Sequence, residues 1–336
     1  MRRFNRISKV VLILILGISI PAVAQKHDKK KAKEDAAGLP ATIWRDPGNV
    51  SGLNLIYGVG GSDHAPDPHG TYTFDKEDMN GTSPKFDVKD EQGAKWRIKL
   101  GQEPQAETAA TRLLWAAGYF VDEDYFLPEV IVQNLPKLSR GQSFVSDGVV
   151  VHGARLERRD KEVKSIGVWS WFHNPFVGTK ELNGLRVMMA LLNNWDLKTI
   201  NNSIYVVDNE RRYVVSDVGA TFGKTGNTIS RSKSNLKGYE ESQFIAKEHS
   251  ANVDFVMHSR PFLLTAVNVS NYENRSRMEK VTKNIPRADA KWLGQLLGQL
   301  SDEQVRDCFR AGGYSPEEVE GYAKEVEKRI QELNAL

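Results

Sequence analysis

The chain has 336 residues, of which 40% are hydrophobic and 26% are charged, a balance that is ordinary for a globular protein. This length suits one large domain or two lobes around a cleft. The formal net charge is +3 and the only cysteine is Cys308. The composition therefore excludes a disulfide scaffold and a strongly basic nucleic-acid-binding protein.

The first 24 residues have the pattern of a secretory signal peptide. Its parts are the basic residues Arg2, Arg3, Arg6 and Lys9, the apolar run 10–20 and the triplet Ala22-Val23-Ala24. The pattern predicts cleavage before Gln25. An uncleaved anchor helix is the alternative, but the run is short for a bilayer core, which needs about 20 apolar residues.

Cleavage would change the charge of the protein and its compartment. Removing the four basic residues of the signal takes the net charge from +3 to −1, so no overall positive field attracts nucleic acid. We expect an exported protein, periplasmic or extracellular, that meets the membrane only through its signal peptide. Residues 25–38 are polar and lysine-rich, which predicts a disordered linker.

Short strands and one helix are predicted between residues 48 and 168. The strand candidates are Asn54–Tyr57, Tyr72–Phe74, Lys85–Val88, Trp96–Leu100, Val149–Val151 and Val163–Trp169, the last two forming a hairpin around Glu157–Glu162. The helix candidate, Pro104–Ala117, has one apolar face and stops at Gly118.

From about residue 175 the chain is predicted to be mainly helical. Glu181–Asn194 has the spacing of a buried amphipathic helix. A hairpin of Ser203–Val207 and Tyr213–Ser216 follows, and helices with capping boxes at Ser301 and Ser315 complete the chain. These elements predict an α+β fold with a strand-rich N-lobe over 39–168, a helical C-lobe over 169–336 and a cleft between them.

The hexapeptide Asp196-Leu197-Lys198-Thr199-Ile200-Asn201 is the strongest local signal of chemistry. It links a buried helix to a hairpin, and the hairpin ends at Asp217. This order of helix, loop, hairpin and aspartate resembles that of protein kinases, whose phosphoryl transfer needs one carboxylate for the proton of the nucleophile and oxygen ligands for magnesium ions on the phosphates. A lysine in the loop can neutralise charge on the transferred group. The alternative is a helix-ending loop whose polar side chains bond to backbone.

Two upstream features fit the same chemistry. Lys99 lies in the strand candidate Trp96–Leu100, where it alternates with apolar residues, and Glu107 follows on the next helix. The small-residue loop Gly81-Thr82-Ser83, followed by Lys85, can expose backbone N–H groups to phosphates. The loop 58–62 could do so too, but the Gly81 loop is only one hairpin from Lys99.

Together these motifs resemble an atypical kinase, nearest in style to the HipA-type and phosphatidylinositol-kinase-like branch. Exported secretory-pathway kinases and spore-coat kinases are more distant relatives. The resemblance covers about 75–225 and implies ATP and Mg²⁺ or Mn²⁺ between two lobes. It makes Asp196 the base, with Lys198 beside it. Asn201 and Asp217 become metal ligands, and Lys99 a phosphate contact paired with Glu107.

The resemblance has gaps, and other functions stay open. Asn194-Trp195 stands where typical kinases have His-Arg, and the typical glycine-rich loop is missing. Alternatives are a pseudokinase or nucleotide-binding protein without turnover, a nucleotidyl transferase, and a structural or envelope-binding protein. The acceptor is open among protein, lipid, sugar and small molecule.

Three other groups are interpreted as structural. The proline-rich loop with Asp63, His64, Asp67 and His69 could bind zinc, but a solvated loop is favoured because the loop contains no cysteine. The groups are that loop (Asp63, His64, Asp67, His69), a mixed-charge hairpin tip (Arg155, Arg158, Arg159) and an inter-lobe core (Trp169, Trp171, Phe172).

Overall fold

A computed structural model describes residues 31–159, 163–225, 231–257 and 276–336. The predicted signal peptide therefore lies outside the described residues. Within those four ranges, no helix combines the length and the apolar character needed to cross a bilayer.

A closed ring of strands forms the first lobe. The strands of the first half are β1 (Ala41–Thr42), β2 (Thr71–Glu77), β3 (Lys85–Lys89), β4 (Lys95–Lys99), β5 (Asp124–Gln133), β6 (Val145–Ser146), β7 (Val150–Arg158) and β8 (Lys164–Gly167). β2 to β7 make a six-stranded sheet in which β4 pairs with β7 as well as β3. The sheet therefore closes around a core that includes Tyr72, Phe86 and Ile98.

One long helix, α1 (Pro104–Ala116), packs against this ring. Pro104 is the first residue of this helix, a position whose backbone N–H has no partner within the helix, so the N–H that proline lacks is not missed there. It ends before Gly118, which has a φ of +83°. The small residues Ala106, Ala109 and Ala110 are fully buried, so α1 can approach both the ring and the tail of the chain closely.

The rest of the chain forms the second lobe. Its further elements are α2 (Lys180–Leu191), β9 (Asn202–Val207), β10 (Glu210–Val215), α3 (Leu236–Glu240), β11 (Ile245–Glu248), β12 (Asn252–Phe255), β13 (Ile285–Pro286), α4 (Arg287–Leu297), α5 (Asp302–Ala311) and α6 (Pro316–Ala335). Two small sheets, β1-β10-β9-β8 and β11-β12-β13, pack among the helices.

Two hydrophobic clusters match these two lobes. One lies inside the ring, and the larger one joins α1 to α2 and the C-terminal helices. A strand-rich lobe followed by a mainly helical lobe is the two-lobed α+β architecture of the protein-kinase-like fold, which confirms the predicted fold class. Both predicted capping boxes are also present, at Ser301 and Ser315.

Several strand predictions were wrong. Asn54–Tyr57 is a turn, because the Asn54 side chain accepts hydrogen bonds from the next backbone N–H groups. The predicted hairpin of Val149–Val151 and Val163–Trp169 does not form, since β7 pairs with β4 and β5 while β8 pairs with β9. β5 and the β11–β13 sheet were missed.

The N-terminal segment differs from the predicted linker. Residues 31–35 are helical and Ala36 is buried, in keeping with a segment of strong helix formers, alanine, lysine and glutamate. Arg211 then donates to the Leu39 carbonyl at 3.0 Å, and β1 pairs with β10. β1 and β8, both inside the predicted N-lobe range 39–168, thus belong to the sheet of the β9–β10 hairpin.

Candidate active site

Lys99 stands at the centre of a buried group of carboxylates. It ends β4 and is 7% exposed. Its Nζ lies 2.6 Å from Glu103 Oε2, 2.8 Å from Glu107 Oε2 and 3.3 Å from Asp217 Oδ1. The structure therefore brings together three of the predicted site residues, Lys99, Glu107 and Asp217, from β4, α1 and the segment after β10.

Burial and opposite charges compete in this group. Burial opposes the charge of Lys99, but Glu107, Asp217 and Glu103 hold its pKa well above the usual value, so it stays an ammonium ion. Burial raises the pKa of Glu107 to about 7, while Arg155 and Lys99 act in the opposite direction. The charge of the Glu107 carboxylate therefore depends on these two cations.

Glu103 is a site residue that sequence reasoning missed. Its carboxylate accepts hydrogen bonds from Ser83 Oγ at 2.8 Å and Lys233 Nζ at 2.6 Å, besides its contact with Lys99. Burial alone would raise the pKa of Glu103, but Lys99 and then Lys233 lower it to about 2. Its position four residues before Glu107, one helical turn, was the signal that could have found it.

The Gly81 loop reaches this group through Ser83. Gly81 has a φ of +70°, a conformation that favours glycine. Arg140 holds the loop by donating to the Gly81 carbonyl at 2.7 Å and the Asp78 carbonyl at 2.8 Å. Lys85 lies 3.9 Å from Asp78, and Thr82 is exposed.

The alternative glycine loop, 58–62, has a packing explanation. A Cβ at Gly58 would lie 2.6 Å from Arg112 Nε, so glycine lets this turn rest on the guanidinium group. Arg112 is itself buried and bonded to Asp124.

The loop after α2 holds Asp196 by short-range contacts. Asn193 lies two residues beyond the end of α2 and has a φ of 55°, and Asn194 Oδ1 accepts a hydrogen bond from Asp196 N at 3.1 Å. Lys198 Nζ lies 2.7 Å from the Asp196 carboxylate, and Asn201 Nδ2 donates to the Asp196 carbonyl at 2.8 Å. Asn201 thus bonds to backbone as the alternative interpretation required, whereas the Asp196 carboxylate pairs with Lys198.

Backbone bonds place this loop beside the Asp217 segment. Ser216 N donates to the Asn201 carbonyl at 2.9 Å, and Trp195 N donates to the Ala220 carbonyl at 3.3 Å. A Cβ at Gly219 would lie 2.7 Å from Glu103 Cβ, so glycine lets the segment pass close to the start of α1. The structure therefore joins the predicted loop, Asp217 and α1 in one region.

The oxygen atoms of this region suit a divalent cation. Among the described residues, Glu103, Glu107 and Asp217 alone form a trio of acidic, histidine or cysteine side chains whose ligand atoms lie within 4.8 Å of one another. No described residue hydrogen-bonds the amide oxygen of Asn201. Magnesium and manganese prefer carboxylate and carbonyl oxygens, so the donor types fit the predicted metal, while the space between the three carboxylates is taken by Lys99 Nζ.

Behind the carboxylates lies a buried network that corrects one interpretation. Arg155 is 2% exposed and lies within β7, not at a hairpin tip. It donates to Asp124 Oδ2 at 2.8 Å and lies 3.6 Å from Glu107 Oε2. Arg112 bonds to the other Asp124 oxygen at 2.9 Å. Strand β7 places Arg155 directly opposite Lys99, and no local pattern reveals that pairing.

Comparison with known proteins adds solved structures of three kinases. No family model matches the chain, and no curated protein matches it. The chain is similar to a Helicobacter pylori proinflammatory kinase, CtkA (9% identity, TM-score 0.42, covering 79% of this chain and 96% of that one). It is also similar to the Golgi casein kinase with Mn and ADP bound (11%, TM-score 0.37, 99% and 94%). The third is an amicoumacin kinase in complex with AMP-PNP and Ca²⁺ (10%, TM-score 0.24, 93% and 96%). By its own element order and the contacts of Lys99, Glu107 and Asp217, this chain has a two-lobed, protein-kinase-like fold.

Proposed function

We propose that this chain is an ATP- and divalent-metal-dependent phosphotransferase. The observation that supports this best is the buried contact of Lys99 Nζ with Glu107 at 2.8 Å and Asp217 at 3.3 Å. Phosphoryl transfer requires little covalent chemistry from the protein and depends on positioning and charge neutralisation. A buried ammonium group between helix and hairpin carboxylates supplies both.

The nucleotide side of the site follows from these contacts. Lys99 would bind the phosphates, and Glu107 would orient its ammonium group. Asp217 and the free amide oxygen of Asn201 would hold the cation, which neutralises phosphate charge when it is bound. Backbone N–H groups of the loop 81–83 would lie over the phosphates.

The acceptor side of the site belongs to Asp196 and Lys198. The acceptor hydroxyl oxygen would attack the γ-phosphorus, the bond from that phosphorus to the bridging oxygen of ADP would break, and Asp196 would take the hydroxyl proton. Lys198, 2.7 Å from Asp196, would neutralise charge on the transferred group.

Thermal melting of the mature protein tests nucleotide binding. ATP with Mg²⁺ or Mn²⁺ should raise the melting temperature, since a ligand at 100 times its Kd stabilises the native state by about 2.7 kcal/mol. Lys99→Met should remove most of the shift, whereas Lys95→Met, at the other end of β4, should keep it. An unchanged melting temperature with both metals would contradict the proposal.

We also propose that the protein is exported to the periplasm or the extracellular space. The support is the order of basic, apolar and small-residue segments over 1–24. N-terminal sequencing of the processed protein should begin at or next to Gln25. Retention of Met1 would contradict export by cleavage.

A further inference from the structure

A cavity lies beside the loop that follows Asp196. Its volume is about 670 Å³, within the range of small-molecule sites. It is lined by residues 170–173 before α2, by the loop 197–200 and by Arg277, Met278, Lys280 and Val281. None of its described lining residues contacts Lys99 or the carboxylates around it.

The cavity has an apolar lining that is partly open to solvent. Trp171 and Leu197 are buried, but Phe172 is 41% exposed and Ile200 is 73% exposed. The exposure of Phe172 corrects its interpretation as core. Large apolar side chains at the edge of a cavity favour a ligand with an apolar body.

Trp171 also has an unsatisfied donor at this cavity. It is 4% exposed, and its Nε1 has no hydrogen-bond partner. The indole N–H groups of Trp169 and Trp195 behave differently, since they donate to carbonyl oxygens at 2.9 Å. The nitrogen atom is itself buried, so Trp171 contributes the apolar surface of its rings to the cavity and not a hydrogen bond.

The charges at the cavity have one sign. Arg277 and Lys280 are exposed and form no ion pair with any described residue, and no described lining residue is acidic. Their segment is fixed to α2, because Arg186 donates to the Val281 carbonyl at 2.6 Å and the Lys283 carbonyl at 2.7 Å. Two unpaired cations on an anchored segment favour an anionic ligand.

We propose that this cavity binds a small apolar acid, with an acyl or aryl body against Trp171 and Ile200 and an acid group near Arg277 and Lys280. Because Lys198 and Thr199 also line the cavity, the acid is the phosphate acceptor, and a hydroxyl on it reaches Asp196. That role rests on the proposed function, whereas the binding itself does not.

Two fluorescent probes with the same rings test the binding without nucleotide. Anilinonaphthalene sulfonate carries an acid group, and N-phenylnaphthylamine does not. The mature protein should bind the sulfonate, and Arg277→Glu with Lys280→Glu should weaken that binding about tenfold or more while changing the neutral probe less than about twofold. Lys291→Glu, an exposed lysine on α4, is the matched control and should change neither.

Each other outcome has a defined meaning. Equal sulfonate binding by the wild type and the double variant would overturn the proposal, as would equal losses for both probes. Circular dichroism melts of each variant exclude unfolding as the cause. Failure here with a normal ATP-induced melting shift would overturn the cavity assignment alone, and the reverse pattern would overturn the phosphotransferase proposal alone.

Discussion

Asp196 and Asp217 differ in what surrounds their carboxylates. Asp217 contacts Lys99 at 3.3 Å, on the nucleotide side, whereas Asp196 pairs with Lys198 in the loop. Asp217→Ala should therefore weaken metal-dependent ATP binding and abolish transfer. Asp196→Ala should keep ATP binding and lower turnover about 10²–10⁴-fold, the contribution of a general base. ATP affinity and turnover, measured for both variants, check this.

A third aspartate supplies the control for that experiment. Asp208, at the tip of the β9–β10 hairpin, has a side chain that is 78% exposed, so Asp208→Ala should leave both quantities unchanged. Equal losses of ATP affinity in the Asp196 and Asp217 variants would mean that the two roles are misassigned. Unchanged affinity in both would place the nucleotide elsewhere.

Glu103 should make stability sensitive to acid. Its pKa is lowered from 4.5 to about 2, so its contribution is present above pH 4.5 and is lost as the pH falls through 2. Between pH 7 and pH ~3.5, the free energy of unfolding should fall by about 1 kcal/mol more for the wild type than for Glu103→Gln. Urea unfolding at both pH values measures this difference. Glu91 is exposed, so Glu91→Gln is the control and should behave like the wild type. An equal loss of stability in the wild type and in Glu103→Gln would contradict the prediction.

The order of motifs along the chain pointed to Lys99, Glu107 and Asp217, whose side chains the structure brings into contact, because each one stands near the end or start of an element with a clear pattern. Glu103 and Arg155 were missed for a physical reason. Their partners are set by pairing between β4 and β7 and by the turn into α1. Local alternation cannot show which buried arginine faces which lysine.

At the scale of elements, strong patterns gave accurate bounds. The predicted helix Pro104–Ala117 is observed as Pro104–Ala116, and the predicted strand Trp96–Leu100 as Lys95–Lys99. The β8 strand kept its position but changed its partner. Strand partners depend on contacts that are distant in sequence. The local pattern of apolar residues therefore predicts where a strand lies better than it predicts which strands pair with it.

Helix α6 fixes the start of the Asp196 loop through one arginine. Arg329 is fully buried. It bonds to Glu325, to the carbonyls of Leu191, Tyr239 and Ser242, and to Asn193 Oδ1, all at 2.8–3.1 Å. Asn193 lies in the turn just after α2, three residues before Asp196, so the C-terminal helix sets where this loop begins.

Arg329→Met should therefore destabilise the protein by about 3–5 kcal/mol, the cost of breaking a buried pair, since Glu325 would stay behind. Lys328→Met, on the same helix with a side chain that is 57% exposed, should cost less than about 1 kcal/mol. Chemical unfolding of both variants compares them. A small cost for Arg329→Met would show that the loop is held by other contacts.

At the scale of the molecule, the C-terminal helices also support the first lobe. α5 packs on α1, and Gln304 of α5 donates to the carbonyls of Val50 and Leu53 at 2.9 and 3.0 Å. The sequence placed these helices in the C-lobe over 169–336, and their apolar residues, such as Leu293 and Tyr322, are buried. Contact with α1 extends that prediction, because it couples the tail to the helix of Glu107.

Cys308 can report on this coupling, since it is the only cysteine of the chain and is fully buried on α5. Burial also raises the pKa of its thiol, so the folded protein should react with a thiol reagent only after α5 opens. If opening also disrupts α1 and the Lys99 site, ATP with Mg²⁺ at 100 times its Kd should slow labelling about 100-fold. In the Asp217→Ala variant nucleotide should have no such effect. If nucleotide raises the melting temperature of the wild type but does not change its rate of labelling, α5 detaches while the site stays intact.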